Sequence, residues 1–453
     1  MINHEREGKD GNRVLRPTAI GSHVASLPVA AASAGRWDSG SLRDTLFLVT
    51  FLLLWLTVTP FVDLGRSDVL DVNTGGSLAT MVASLGLTAA LAIFMVQTGS
   101  LQALRGAASP ALIVTLVWFA ISAVLSDNAD LAIRRLVLAV ITLFQACAFL
   151  MLPRDLRHFA RLLTIGALIV VAFCYFGVLF LPHLSIHQAT DFAEPGLAGD
   201  WRGTFRHKND AGGDMAIFIF IGLFAARLWN PVAGWSLVLL SAVFLFFSHS
   251  KSPTNLLPAF LLIPVLALRF RSVWMRSGVL LALPVFLCVI TIGSVTVPGI
   301  RSVVSSILSD PTFTGRDGIW SFALENTVAR PLFGHGFQAF WGTSALVYNW
   351  SSIETWAMRA SDAHNGFLNV SVMTGWVGLF ATLCWVVLQP LSDLVRARDV
   401  DADLQLFFMR VWFFGLCLSS FESLLFAVGR TQWFMMTVAI FGLRLQTLSR
   451  LKR

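Results

Sequence analysis

The sequence predicts an all-α polytopic membrane protein, and three of its features lead there. Of 453 residues, 56% are hydrophobic and 13% charged. The mean hydropathy is +0.71, which means more apolar surface than a soluble core would bury. The apolar residues fall in runs of about 20, the length a helix needs to cross a bilayer, and lysine and arginine gather at the run ends.

About twelve helices are expected, over 43–61, 78–96, 110–126, 134–152, 159–181, 213–229, 232–248, 255–269, 276–297, 365–389, 407–428 and 431–447. The runs 110–126 and 255–269 are short, so a count of ten or eleven stays open. Residues 1–41 are polar, mixed in charge and rich in Gly, Ala and Ser, and read as a disordered cytoplasmic tail. Their one apolar patch, near Val24 to Ala32, is too short and too far in for a secretory signal. Residues 42–453 read as a single transmembrane domain with two long polar loops, 181–213 and 298–364, the larger between the ninth and tenth helices.

With the amino terminus inside, most of the 33 Lys and Arg residues fall on the cytoplasmic side, as the positive-inside bias requires. Both termini are then cytoplasmic and both long loops face outward. Arg202, Arg206, Lys208, Arg301, Arg316, Arg330 and Arg359 stand in those outer loops, where topology does not call for them. An anion is their expected partner. Nucleic acid is not, because the basic residues are scattered over loop ends and form no stripe. Cys147, Cys174, Cys288, Cys384 and Cys417 all lie inside apolar runs without paired spacing, so they read as small buried hydrophobes.

The chemistry is expected around three motifs. In Ser361-Asp362-Ala363-His364-Asn365-Gly366-Phe367, Asp362 is placed to cap the next helix. His364 then falls in the first turn, where the helix dipole keeps imidazole neutral and fit to act as a base. Gly375 and Gly378 lie within about 40° of the same helical face, which invites a close-packed helix beneath. A polar histidine at the membrane interface is the plainer reading of this motif.

The second motif joins Thr314-Gly315-Arg316 to Arg330-Pro331-Leu332-Phe333-Gly334-His335-Gly336-Phe337. Between the two, Ile319, Phe322, Ala323 and Val328 form an apolar stripe suited to lying flat on the leaflet. Arginine's planar fork suits phosphate, so Arg316 and Arg330 are candidates for a pyrophosphate, with His335 a possible substrate contact. The third motif, Trp201-Arg202-Gly203-Thr204-Phe205-Arg206-His207-Lys208-Asn209-Asp210, puts Arg202, Arg206, His207 and Lys208 where a helix start adds amide donors for an anion. Lys251 in the turn 248–254, Asn365 and Glu422 are further possible substrate contacts. Glu422 reads as the lone carboxylate well inside an apolar run, a functional candidate by default or a partner of Arg430. No acidic pair stands out beside the outer basic loops, so arginines are expected to neutralise charge without a bound metal, and no cofactor is expected.

Taken together and in order, these motifs resemble the O-antigen ligase and exopolysaccharide polymerase superfamily of bacterial inner membranes. The resemblance runs from the first helix to the last and rests most on His364-Asn365 followed after nine residues by Gly375 and then Gly378. It implies a GT-C-type glycosyltransferase fold and inverting transfer. The implied donor is an undecaprenyl-pyrophosphate-linked oligosaccharide, and the implied setting is the bilayer beside other polysaccharide biosynthesis and export proteins. His364 would be the catalytic histidine, with Arg316 and the Arg206-His207-Lys208 group on the pyrophosphate. Gly366 departs from many ligases, which carry a bulkier residue two places after the histidine. A periplasm-facing polymerase leads, and a ligase passing glycan to lipid A core or another acceptor is the alternative. A transporter is a third reading, against which the sequence offers only Glu422 as a buried ionisable group.

Overall fold

Short polar residues start many of the helices. Ser109, Asp155, Asn230 and Asp401 each accept a hydrogen bond from a backbone amide two or three residues on, and Pro110 and Pro231 occupy first-turn positions, where a missing N–H costs nothing. The computed structural model describes residues 40–65, 78–192, 194–343, 360–397 and 400–448. The expected tail, up to residue 39, and residues 344–359 of the larger loop lie outside the described residues.

Each apolar run of the sequence overlaps a helix, and the run 407–428 continues past the helix end at Leu418 into a turn. In order the helices are α1 (Gly40–Leu56), α2 (Leu78–Gln97), α3 (Leu101–Ala107), α4 (Pro110–Val124), α5 (Ala129–Met151) and α6 (Leu156–Phe180). After the short α7 (Pro182–Ser185) come α8 (Lys208–Leu228), α9 (Pro231–Phe247), α10 (Lys251–Arg269), α11 (Val273–Thr296), α12 (Pro298–Ile307) and α13 (Arg316–Ala329). The chain ends with α14 (Gly366–Leu383), a π-helical turn over Cys384–Leu388, α15 (Gln389–Arg396), α16 (Ala402–Leu418) and α17 (Thr431–Leu448). Among the described residues no strand forms; Ile186 and Trp201 make one isolated bridge.

The protein is an all-helical, multi-pass membrane protein. Among the described residues seven helices are long and apolar enough to cross a bilayer, and α3 with α4, bent by 82°, makes an eighth if the two are one span. The remaining runs lie on α1, α9, α16 and α17, of 17 or 18 residues each, or roughly 26 Å.

Burial sorts the helices. From Ala211 to Gly222 every residue of α8 is buried, and α16 is buried over nearly its whole length. These helices are apolar on all sides and form the centre. By contrast α2, α4, α10 and α11 leave Val82, Val114, Leu262 and Phe286 exposed, apolar surface suited to lipid. Lipid is as apolar as these side chains, so cohesion rests on packing and on polar links between helices.

Loops gather at two ends. At one, Arg202 reaches Val62 O, Trp201 N donates to Phe247 O, Ser126 binds His335 O, and Gly366 N donates to Ser419 O. At the other, Arg43 binds Met151 O, His158 meets Asp44, and Arg227 pairs with Asp403.

Two sequence readings are corrected here. Gly375 does not serve a neighbouring helix. With φ 72° and ψ −179° it breaks α14, a conformation essentially reserved for glycine. The freed carbonyls of Val372, Met373 and Thr374 accept from His335 N, Gly336 N and the indole of Trp118. The segment Pro331–Gly336 thus docks into the break, and Trp376 N returns a bond to Pro331 O.

The larger loop, secondly, is not an open span lying on a leaflet. It carries α12 and α13, and the stripe Ile319, Phe322 and Ala323 packs inward with Trp320, Phe340, Trp341, Ala363, Leu368 and Val372; only Val328 of the stripe stays exposed. Aromatic burial seats α13 on the first half of α14 and fixes the residue before His364.

Candidate active site

His364 precedes α14 instead of lying in its first turn. Asn365 is the cap: its Oδ1 accepts from Phe367 N and Leu368 N, each at 3.1 Å. Asp362 Oδ1 accepts from the backbone N–H of His364 at 2.8 Å. This brace holds the histidine at φ 45°, a left-handed conformation that costs a non-glycine residue about 1–2 kcal/mol.

The imidazole lies between two carboxylates. Nδ1 is 3.8 Å from both Asp362 Oδ1 and Glu422 Oε2 and is buried without a hydrogen bond. Glu422 is not inside a helix: it lies in the turn 419–430 between α16 and α17. Its Oε1 accepts from Asn209 Nδ2 and Arg316 Nη2, each at 3.2 Å. Burial raises the Glu422 carboxyl, but His364, Arg316 and Arg430 outweigh it and hold it at about 2. The acidic pair that the sequence did not reveal therefore stands beside the histidine, drawn from segments 60 residues apart.

Arg316 is the first residue of α13, and its guanidinium also binds Phe421 O. Arg430, across the turn, pairs with Asp210 at 2.8 Å, and this carboxylate pushes its pKa upward. Three elements, the α8 start, the α13 start and the 419–430 turn, thus meet around Glu422.

The residues of the third motif separate into different roles. Arg202 is buried, donates to Phe205 O and Val62 O, and ties the 181–207 segment to the stretch that follows α1. His207 caps α8 through Nδ1, which accepts from Asn209 N at 3.0 Å, while Nε2 meets Glu194 at 2.9 Å. Lys208 pairs with Asp200 at 2.6 Å, and the same carboxylate holds His249. Arg206 is exposed and has no acidic partner among the described residues.

Buried His187, which the sequence reading passed over, braces this loop. Burial lowers its pKa, so Nδ1–H donates to Asp191 at 2.9 Å and Nε2 accepts from Lys208 N at 3.3 Å. The His187-x3-Asp191 spacing was its signal in the sequence, as Glu194 and Asp200 were for the counter-charges.

The other candidates make separate contacts. Arg330 pairs with Asp127 at 2.8 Å, and His335 Nε2 bonds Asn326 O at 3.1 Å beside the α14 break. Lys251 is exposed at the start of α10. Asn365 is fully buried, with Nδ2 donating to Ser420 O at 3.1 Å. Gly366 is explained by closeness, since a Cβ there would sit 3.2 Å from both Leu425 Cγ and Ser419 Cβ. Among the described residues no three His, Cys, Asp or Glu side chains converge as a metal site would.

Asp214, inside α8, is a second ionisable group that the sequence reading did not weigh. It is fully buried and accepts from Trp55 Nε1, Thr431 Oγ1 and Gln432 Nε2 at 3.1, 2.7 and 3.1 Å. Asp393, also fully buried, pairs with Arg444 at 3.0 Å. Glu422 is thus not the lone buried carboxylate, and the argument against transport drawn from its solitude does not hold.

Comparison with known proteins bears on the same region. Residues 215–383 match a family described as O-antigen ligase; the matched span includes Lys251, Arg316, Arg330, His335, His364 and Asn365. The chain is also 27% identical over 216 residues to the exopolysaccharide production protein ExoQ of Rhizobium meliloti (strain 1021), covering 44% of this chain and 48% of that protein. It therefore spans about half the length of the curated relative it matches. The resemblance to the O-antigen ligase and exopolysaccharide polymerase superfamily is borne out, and it is carried by the central helices, where both matches fall.

Proposed function

We propose that this protein is a polysaccharide polymerase of the bacterial inner membrane. In this reading it joins undecaprenyl-pyrophosphate-linked oligosaccharide repeat units by inverting, metal-independent glycosyl transfer on the periplasmic face. The observation that carries the reading is His364, strained and set 3.8 Å from both Asp362 and Glu422, within the span matched to the ligase family.

With Nδ1 turned toward the carboxylates, Nε2 faces the acceptor and takes the proton of a sugar hydroxyl. The oxygen bonds to the donor's anomeric carbon as the bond to pyrophosphate breaks on the opposite face. Asp362 and Glu422 stabilise the imidazolium, and bulk water then receives its proton. General-base catalysis of this kind supplies roughly 10²- to 10⁴-fold.

Arg206, with no acidic partner among the described residues, is the first contact for the departing pyrophosphate; Lys208 and Arg316 add charge from pairs that the anion must share. Residues 42–453 then act as one GT-C-type transmembrane domain, with both termini cytoplasmic and the 181–213 and 298–364 loops periplasmic.

A ligase that transfers finished glycan to lipid A core or another acceptor is the second reading, favoured by the description of the matched family; the relative's name favours exopolysaccharide. Gene deletion, complemented with wild type or His364→Ala, separates the readings when carrier-linked and surface glycans are sized. A polymerase defect leaves single repeat units on the carrier. Long carrier-linked chains that fail to reach the surface acceptor identify a ligase, and full-length surface polymer in the His364→Ala strain refutes the base assignment.

A further inference from the structure

Next to this cluster lies a cleft to which the reaction above assigns nothing. It is an open groove of about 410 Å³ between α12 and the start of α13, lined by Arg301, Ser302, Ser305, Thr312, Asp317 and two prolines, a size within the roughly 300–1,000 Å³ of small-molecule sites. Its polar wall has a sequence origin, because α12 is amphipathic. Arg301, Ser302 and Ser305 share the side that lines the cleft, Val304 packs inward, and Val303 and Ile307 stay exposed. An exposed apolar face on a short helix that follows a membrane-spanning one suits the leaflet surface, where a lipid-linked glycan emerges.

We propose that this cleft is a saccharide subsite holding a ring of the acceptor glycan, an assignment that rests on the glycosyl-transfer reading. Arg301 and Asp317 face each other at 3.8 Å, too far to satisfy one another and near enough to cancel most net charge. Their free donors and acceptors suit hydroxyls more than an anion. Ser302 has no side-chain partner among the described residues, and the hydroxyl of Ser305 donates only to its own helix, leaving its lone pairs open. Asp317 follows Arg316, whose guanidinium holds Glu422 beside His364. The cleft thus opens, at the start of α13, one residue from the arginine that holds Glu422 beside His364.

The test fills the cleft. Ser302→Trp and Ser305→Trp each place an indole in it, and Ser306→Trp places one on an exposed, non-lining position of α12. The full chain is purified in lipid nanodiscs, and saturation-transfer NMR titrates the host's repeat-unit oligosaccharide freed of its pyrophosphate. Wild type and Ser306→Trp are expected to bind it alike, and the two cleft variants to lose roughly tenfold or more in affinity and make shortened glycans in cells. Unchanged binding and chain length in both cleft variants overturns the subsite while leaving the transferase reading intact. Full activity of His364→Ala strikes the transferase reading instead, whatever the cleft variants bind.

Discussion

His364 is held in place by its neighbours more than by its helix. Truncation to alanine removes the proposed base and leaves the Asp362 brace, so a normally expressed His364→Ala protein is expected to lose roughly 10²- to 10⁴-fold in transfer rate, read as radiolabelled sugar passed from carrier lipid to product. Glu422 makes a stability prediction. Its pKa, about 2 in the folded chain against an ordinary 4.5, is depressed, so its contribution is fully present above the ordinary value and is lost as pH falls toward the folded one. Thermal unfolding in detergent should show that loss for wild type and not for Glu422→Gln. At neutral pH the glutamine variant leaves Arg316 without its counter-charge and should lose about 3–5 kcal/mol, part of it regained in the Arg316→Gln/Glu422→Gln double variant. Arg202 and Arg206, four residues apart, should behave oppositely. Arg202→Ala removes two hydrogen bonds from a buried segment and lowers the melting temperature; Arg206→Ala spares stability and weakens donor use, seen as a raised KM.

The broken α14 is the element on which the mouth depends. A Cβ on Gly375 would lie 2.0 Å from Leu332 O and 2.7 Å from Pro331 O, backbone atoms that cannot move without undocking the 331–336 segment. Gly375→Ala is therefore expected to lower stability by several kcal/mol, about 3 or more, and to speed amide exchange at His335 and Gly336. On Gly378, which does not have a left-handed φ, a Cβ would lie 2.1 Å from Thr374 Oγ1 and 2.5 Å from Thr374 Cβ, a clash with one side chain of the same helix and not with the backbone of a docked segment. Gly378→Ala should be the milder change, and the difference between the two melting curves checks it. The His-Asn-x9-Gly spacing thus records two structural demands: an asparagine cap at the start of α14 and a glycine break where the larger loop docks.

Across the whole molecule, polar links join helices that lipid alone would not hold together. Asp214 ties α1, α8 and α17 through Trp55, Thr431 and Gln432. Asp214→Ala orphans three donors, at about 1–3 kcal/mol each, and should lower both melting temperature and membrane yield, with Asp214→Asn retaining part of each. Orientation is open to a direct test because the native cysteines are buried or half-buried. Ser306→Cys and Arg271→Cys place exposed thiols at opposite ends of α11 and its flanks. A membrane-impermeant maleimide applied to spheroplasts should label the first, and the second only after permeabilisation.

Hydropathy alone located the long apolar helices but not short ones such as α3 and α12, because membrane insertion reads local composition over a spanning length and needs no tertiary context. Motif order was equally local and led to the superfamily. Side-chain commitments were not legible, since burial and ion pairing depend on segments far apart in the chain. Arg202, Arg206 and Lys208 look alike in sequence, yet one is a buried strut, one has no acidic partner among the described residues and one is neutralised by Asp200. Glu422 looked like an intramembrane carboxylate until the fold placed its turn against the starts of α8 and α13. Only tertiary packing brings that carboxylate to His364 and turns a lone histidine into a charged cluster.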